Sequence, residues 1–227
     1  MATVLRRGAW VVALAAISWA LAAAASAGPI TLVGQSLTGL LGLNPIADGT
    51  VLKTVMDSGN LRSRTLSQAY HNLDGDYAYL YQVENTGVTG NAPIEMFTLW
   101  PFTGADDDTV AGYLTGDIPT GFLTTGTPQG PESEAYVEAL ETGPQISFYY
   151  GLRAGKAITV GKHSVVMYVK SRLTPDEIQG NVIDGSVGFG PVVGPVPEPA
   201  TMALLAFGGL AMVLARRRRA VPPGQGT

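Results

Sequence analysis

The chain has 227 residues, no cysteine and a formal charge of −4, from 14 basic and 18 acidic side chains. The lack of cysteine excludes disulfide bonds, cysteine nucleophiles and thiolate metal sites. Six arginines lie near the two ends, so residues 28–195 keep 8 basic and 17 acidic side chains and a formal charge of −9. Such an acidic surface offers no basic patch for phosphates, which argues against nucleic acid and anionic lipid as partners.

The N-terminus has the three-part pattern of a secretory signal peptide. Two arginines precede an apolar run over residues 10–25, and Ala25 and Ala27 place small side chains at the cleavage positions. Cleavage by signal peptidase after Ala27 leaves Gly28 as the mature start. The sequence therefore predicts a signal peptide over residues 1–27, with an uncleaved anchor as the alternative.

Residues 28–185 alternate short β-prone runs with turn clusters, which predicts a single exported domain. In the clearest strand, over residues 77–84, three tyrosines and Val83 share one face while Gln82 and Glu84 share the other. This period of two is typical of a sheet that is covered on one side. Further strands are predicted over residues 30–33, 51–56, 61–70, 94–100, 110–114, 146–150, 157–160 and 164–170.

Three segments of this region have a different pattern. Residues 131–141 have a proline near their start and apolar side chains that can share one helical face, so we expect a helix there. A capping threonine and an N1 proline predict a single helical turn over residues 174–177. Glycine and proline dominate residues 186–195, which predicts a spacer between the domain and the C-terminal segment.

The many short strands, without βαβ alternation, predict an all-β fold, an antiparallel β-sandwich of immunoglobulin-like or jelly-roll-like type. A closed barrel is the alternative. The tyrosine-rich strand can supply the core of this fold or, alternatively, a stacking platform for sugars.

No recognisable catalytic or metal-binding motif is present in the sequence, so we predict no catalytic residue, metal or cofactor. The two histidines, His71 and His163, lie in no known motif. Residues 151–156 imitate a phosphate-binding loop but lack its spacing. Adjacent acids form a possible calcium loop, and other glutamates a possible glycosidase pair, although solvated acidic surface is the simpler interpretation. These acids are Asp106, Asp107, Asp108, Glu132, Glu134, Glu138 and Glu141.

The C-terminal region combines a polar turn, an apolar run and an arginine cluster. Residues 200–215 carry no charge, and a helix of that length reaches roughly 24 Å across a bilayer core of about 30 Å. This predicts a transmembrane helix that begins next to Pro199. The membrane stop is expected at Arg216, Arg217, Arg218 and Arg219, which stay in the cytoplasm with the tail over residues 220–227.

Pro197, Glu198 and Pro199, followed by this helix and the arginines, resemble the PEP-CTERM sorting signal of Gram-negative bacteria. The resemblance covers residues 196–219; the tail after the arginines is longer than is usual for such signals. It implies recognition by an exosortase, an integral-membrane cysteine protease that cleaves near the Pro-Glu-Pro motif. It also implies an exported protein with an inner-membrane-anchored precursor and a final place at the cell surface or outside the cell.

Exosortase systems are coupled to exopolysaccharide production, so the resemblance implies a non-catalytic role in a surface or biofilm matrix, with exopolysaccharide as a possible partner. The alternative is a secreted carbohydrate-binding module or a polysaccharide-acting hydrolase. In a binding module, exposed aromatic side chains such as Trp100 are expected to contact the glycan.

Overall fold

The computed structural model describes residues 28–102, 110–125, 128, 130, 134–140, 143–150 and 157–196. Within these ranges the chain forms twelve strands and one five-residue helix, so the prediction of an all-β fold is confirmed. The strands are β1 (Gly28–Thr31), β2 (Val33–Gln35), β3 (Ile46–Val55), β4 (Ser63–His71), β5 (Tyr77–Asn85), β6 (Met96–Trp100), β7 (Val110–Leu114), β8 (Glu134–Leu140), β9 (Gly143–Tyr149), β10 (Met167–Ser171), β11 (Thr174–Ile183) and β12 (Val187–Val196), and the helix is α1 (Leu37–Leu41).

The strands form two six-stranded sheets. The first sheet has the order β1-β8-β9-β6-β11-β12, and the second has the order β2-β7-β10-β5-β4-β3. Neighbouring strands are antiparallel except β2 and β7, which are parallel and depart from the predicted antiparallel arrangement. Each sheet ends in edge strands, so the described residues do not form the single closed barrel that was the alternative.

The main core lies between the two sheets and is rich in aromatic side chains. Tyr79 and Tyr81 on β5 are fully buried in it together with Phe97 and Phe148 of the first sheet. The Tyr81 and Phe97 ring centroids are 5.7 Å apart, and those of Phe97 and Phe148 are 6.5 Å apart. Such ring pairs add stability beyond the area that they bury. The interpretation of the tyrosine strand as core is therefore confirmed, and a sugar platform on it is wrong.

A second, smaller core covers the outer face of the second sheet. Helix α1 places Leu40 and Leu41 there, and the loop over residues 115–125 adds Phe122; all three belong to one buried cluster with Leu80 of β5. Ser36 caps the helix by accepting a hydrogen bond from the Gly39 amide at 3.0 Å. Strand β5 is thus covered on both faces, whereas its sequence pattern predicted water on one side.

Two of the predicted helical segments are strands instead. The helix expected over residues 131–141 is wrong, because β8 pairs along its length with β9 and at its start with β1. The sequence of β8 also alternates with a period of two, which suits a strand as well as a helix. The turn expected over residues 174–177 is the start of β11, since a proline is compatible with a strand where its nitrogen need not donate.

The prediction of a spacer over residues 186–195 is also wrong, because most of these residues belong to β12. Its glycines allow close approach rather than flexibility. A Cβ atom at Gly188 would lie 2.2 Å from the Met56 carbonyl oxygen, and one at Gly194 would lie 2.2 Å from Ile178 Cδ1. The folded domain therefore extends past the predicted boundary at residue 185 and reaches Val196.

Candidate functional site

The last strand carries the fold up to the Pro-Glu-Pro motif. Strand β12 pairs with β11 over ten consecutive residues, ending with Val196 opposite Thr174. The Thr174 hydroxyl donates to the Val196 carbonyl at 3.4 Å. No intervening residue therefore separates the sheet from Pro197, although Pro197 itself lies outside the described residues.

Strand β12 is an edge strand that is held from its open side by the second sheet. The Thr54 hydroxyl donates to the Pro191 carbonyl at 2.6 Å, and the Val193 amide donates to the Ser67 hydroxyl at 3.0 Å. Pro191 and Pro195 lie two residues to either side of Val193, so their nitrogens face the same way and have no hydrogen to donate. Proline and an occupied amide protect an edge against pairing with another chain.

A turn with charged side chains lies near the end of the domain where β12 stops. Asp76 accepts from Lys170 and Arg172, each at 3.1 Å, and the backbone amide of Asp76 donates to the side chain of Asn72 at 2.9 Å. The hydrogen bond from Lys170, more than the one from Arg172, lowers the pKa of the Asp76 carboxyl. The ion pairs join the turn before β5 to β10, through Lys170, and to the turn before β11, through Arg172. Val196 is paired at the start of β11.

The processing residues lie almost entirely outside the described part of the chain. Ala25 and Ala27 precede it; Pro197, Glu198 and Pro199 follow it, as do Arg216, Arg217, Arg218 and Arg219. Gly28, the predicted mature start, is the first residue of β1 and pairs with Val137 of β8. Cleavage at both ends stays a prediction.

The two histidines lie too far apart to act together. His71 pairs with Tyr77 at the start of β5, and its ring centroid is 5.5 Å from that of Tyr77. His163 bridges to Glu84, seven residues further along the same strand, which corresponds to roughly 23 Å at about 3.3 Å per residue. A single catalytic centre cannot contain both rings.

His163 belongs to a buried polar network centred on Gln82. Its Nε2 atom lies 2.8 Å from the Thr125 carbonyl oxygen, and its Nδ1 atom lies 3.0 Å from Gln82 Nε2. The Gln82 side chain also accepts from the Leu123 amide at 2.7 Å and donates to the Leu123 carbonyl at 3.0 Å. These bonds fasten the loop over residues 115–125 to the second sheet. The sequence pattern missed this, because alternation placed Gln82 in water, whereas its exposed fraction is 1%.

The acidic candidates are not brought into a site by the described residues. Asp106, Asp107, Asp108, Glu132 and Glu141 lie outside them, while Glu134 and Glu138 belong to β8. In the described part of the chain, no group of three or more histidine or acidic side chains is placed to hold a metal ion.

Trp100 lies at the end of β6 on the outer face of the first sheet, opposite the buried Leu99. It pairs with Gln179 of β11. The indole ring is half-buried, and its N–H group has no hydrogen-bond partner among the described residues. Sugar binding by Trp100 stays a prediction.

The fold is that of a β-rich domain in two sheets whose last strand leads directly into a C-terminal signal. Residues 195–219 match the family described as the PEP-CTERM protein-sorting motif, which is consistent with an exosortase substrate. The motif implies export and a membrane-anchored precursor. No curated protein and no solved structure matches the chain significantly.

A membrane span is not among the described elements. None of the helices in the described ranges is long and apolar enough to cross a bilayer. The helix predicted over residues 200–215 lies outside those ranges.

Proposed function

We propose that this protein is a non-catalytic component of the cell surface or extracellular matrix, delivered there by exosortase processing. The observation that carries the proposal is the sorting motif over residues 195–219, which begins where β12 ends. In this proposal signal peptidase acts after Ala27, and the helix over residues 200–215 holds the precursor in the inner membrane. Exosortase then cleaves near Pro197, Glu198 and Pro199.

The position of β12 supports release of an intact domain. A cut on the C-terminal side of Val196 removes none of the described residues of either sheet, because Val196 is the last residue of β12. The hydrogen bonds from Thr54 to Pro191 and from Val193 to Ser67 also lie upstream of such a cut. Processing therefore leaves the two cores unchanged, and the released domain keeps its stability.

A structural role in the matrix follows from the resemblance to exosortase substrates and from the chemistry of the domain. Both ring nitrogens of His163 are engaged by neighbouring polar groups, which suits a structural rather than a catalytic histidine. We also assign the fold to the β-sandwiches, of immunoglobulin-like or jelly-roll-like type. Exopolysaccharide is the proposed partner in the matrix.

Mass spectrometry of the protein recovered from the surface of its native host tests the processing. We expect an N-terminal peptide that starts at Gly28 and no peptide that contains Arg216 to Arg219. A strain without exosortase should accumulate the membrane-bound precursor with its C-terminal arginines. Surface material with intact arginines in the presence of exosortase would refute the sorting step. Deleting the gene should alter biofilm formation or cell aggregation, and an unchanged matrix would refute the matrix role.

The second candidate is a carbohydrate-binding module or a polysaccharide-acting hydrolase, favoured by the position of Trp100 beside Gln179. Binding of the host exopolysaccharide near Trp100 should change the protein fluorescence. A hydrolase should release products from that polysaccharide, and replacing one carboxylate should abolish the turnover. Such a result would replace the non-catalytic assignment.

A further inference from the structure

A cavity of about 480 Å³ with a mixed polar and apolar lining opens on the outer face of the second sheet. This volume falls in the range of about 300–1,000 Å³ that is common for small-molecule sites. The described side chains with polar groups that line it come from β3, β4 and the loop over residues 115–125: Thr50, Lys53, Gln68, Tyr70 and Thr120.

One wall of the cavity is a bulge in β3. Asp48 pairs with Ala69 of β4, and the next paired residue, Leu52, lies opposite Ser67. Three residues of β3 therefore face the single residue Gln68, and the extra backbone moves away from β4. Bulges of this kind are common beside binding sites, where they redirect side chains.

The base of the cavity is held in place by hydrogen bonds. The side-chain amide of Gln68, which is 4% exposed, donates to the Gly49 carbonyl in the bulge at 2.8 Å. The Tyr70 hydroxyl donates to the side-chain carbonyl oxygen of Gln68 at 3.0 Å. Gln68 therefore couples the bulge to the aromatic ring, and neither group needs a ligand to be ordered.

The opposite wall is the loop over residues 115–125. Gly121 packs so closely on the bulge that a Cβ atom there would lie 2.6 Å from Val51 Cγ2. Two hydrogen bonds between Gln82 and Leu123, one donated by each residue, fasten this loop to the sheet. The cavity is thus formed in advance between two braced walls, as ligand sites usually are.

Lys53 is the one charged side chain among the described residues that line the cavity. It is exposed, and no acidic side chain in the described part of the chain forms an ion pair with it. Its ammonium group is therefore available to a carboxylate of a ligand. Thr50 and Thr120 add hydroxyl groups that can both donate to and accept from the hydroxyls of a ligand.

The geometry points to a binding site for a hydroxylated carboxylate, such as a single uronic-acid unit at the end of a glycan. Lys53 binds the carboxylate, and the two threonines bind the ring hydroxyls. The formal charge of −9 over residues 28–195 repels a long polyanion, so the site takes a chain end with one carboxylate. This assignment rests on the proposed function, because display at the surface brings the domain into contact with glycans.

Calorimetric titration of the full chain in neutral detergent tests the site, with D-glucuronate, D-glucose and acetate as the probes. We expect glucuronate to bind more tightly than either glucose or acetate. Lys53→Gln should weaken glucuronate binding by at least about tenfold. Lys162→Gln is the matched control, since it removes the same charge outside the cavity and should leave the affinity within about twofold of the unmodified chain. Thr120→Val should also weaken glucuronate binding without changing the circular dichroism spectrum.

Each other result overturns the assignment. If the folded chain does not bind glucuronate, the proposed site does not exist. If both lysine variants lose the same affinity for glucuronate, the binding reflects general electrostatics rather than Lys53. Glucose binding as tight as glucuronate binding removes the role of the carboxylate, and equal acetate binding removes the role of the hydroxyls. The mass-spectrometric test of sorting uses different residues, so a failure of the cavity is distinguishable from a failure of the proposed processing.

Discussion

Two tyrosines on β5 face the same core but should respond in opposite ways to loss of their hydroxyl groups. The Tyr79 hydroxyl donates to the Leu173 carbonyl oxygen, whereas the Tyr81 hydroxyl is buried without a partner among the described residues. Both rings are fully buried. The paired substitutions Tyr81→Phe and Tyr79→Phe therefore remove the same atom from two different environments.

The magnitudes follow from the cost of an unpaired buried group. A buried hydroxyl without a partner costs about 1–3 kcal/mol, while the small void that its removal leaves offsets part of the gain. Tyr81→Phe should therefore raise the free energy of unfolding by about 1 kcal/mol. Tyr79→Phe loses the hydrogen bond to the Leu173 carbonyl, so it should lower that free energy by about 1 kcal/mol.

Urea unfolding of the full chain in detergent, followed by circular dichroism, measures both changes. For a domain of this size, a gain of 1 kcal/mol raises the melting temperature by roughly 2–4 °C. An unchanged denaturant dependence would show that only stability has changed. If Tyr81→Phe were as destabilising as Tyr79→Phe, the Tyr81 hydroxyl would have a partner and the reasoning would fail.

Four further predictions concern the strand edge, the loop and the response to pH. Gly188→Ala should lower the free energy of unfolding by about 1–3 kcal/mol, because the new Cβ overlaps the Met56 carbonyl; an unchanged urea midpoint would contradict this. Gln82→Leu should lower the free energy of unfolding by about 2–3 kcal/mol and should speed amide hydrogen exchange at Leu123. Exchange at the original rate would show that Gln82 does not hold the loop over residues 115–125. Burial raises the pKa values of the core tyrosines above that of the unfolded chain, which is about 10. Their contribution to the free energy of unfolding should therefore be fully present below about pH 10 and should be lost as the pH rises further, which circular dichroism at alkaline pH can follow. The ion pairs of Asp76 matter at acidic pH, because they lower the pKa of its carboxyl. Their contribution to the free energy of unfolding, under about 1 kcal/mol, should be present above the ordinary pKa of 3.8 and lost on acidification. Asp76→Asn should remove this acid dependence.

Much of the sheet structure could be predicted from alternation in the sequence. The strand predicted over residues 77–84 is β5, and the one predicted over residues 110–114 is β7. The first succeeds because apolar side chains that alternate with a period of two mark a buried face of a strand whatever its neighbours are. The second is a short β-prone run between turn-rich segments. The burial of Gln82 could not be predicted, because it depends on a loop forty residues away along the chain.

Glycine and proline misled the prediction where close packing was the reason for them. Residues 186–195 have the composition of a spacer, yet the glycines of β12 give room to Met56 and Ile178, and its prolines face the open edge. A helix was expected over residues 131–141, where β9 supplies the partner for a strand. Composition alone cannot separate these cases, since the same residues serve turns, spacers and close approach.

The sequence by itself determined that the chain carries a sorting signal, because such a signal is a contiguous run of residues and can be recognised without knowledge of the fold. It also determined the all-β class, through a pattern that each strand carries alone. Only the tertiary structure decided that the fold continues to Val196, since β12 becomes a strand through its pairing with β11. The cavity beside Lys53 likewise exists because a bulge in β3 and a distant loop meet over Gln68, and no local pattern encodes that meeting.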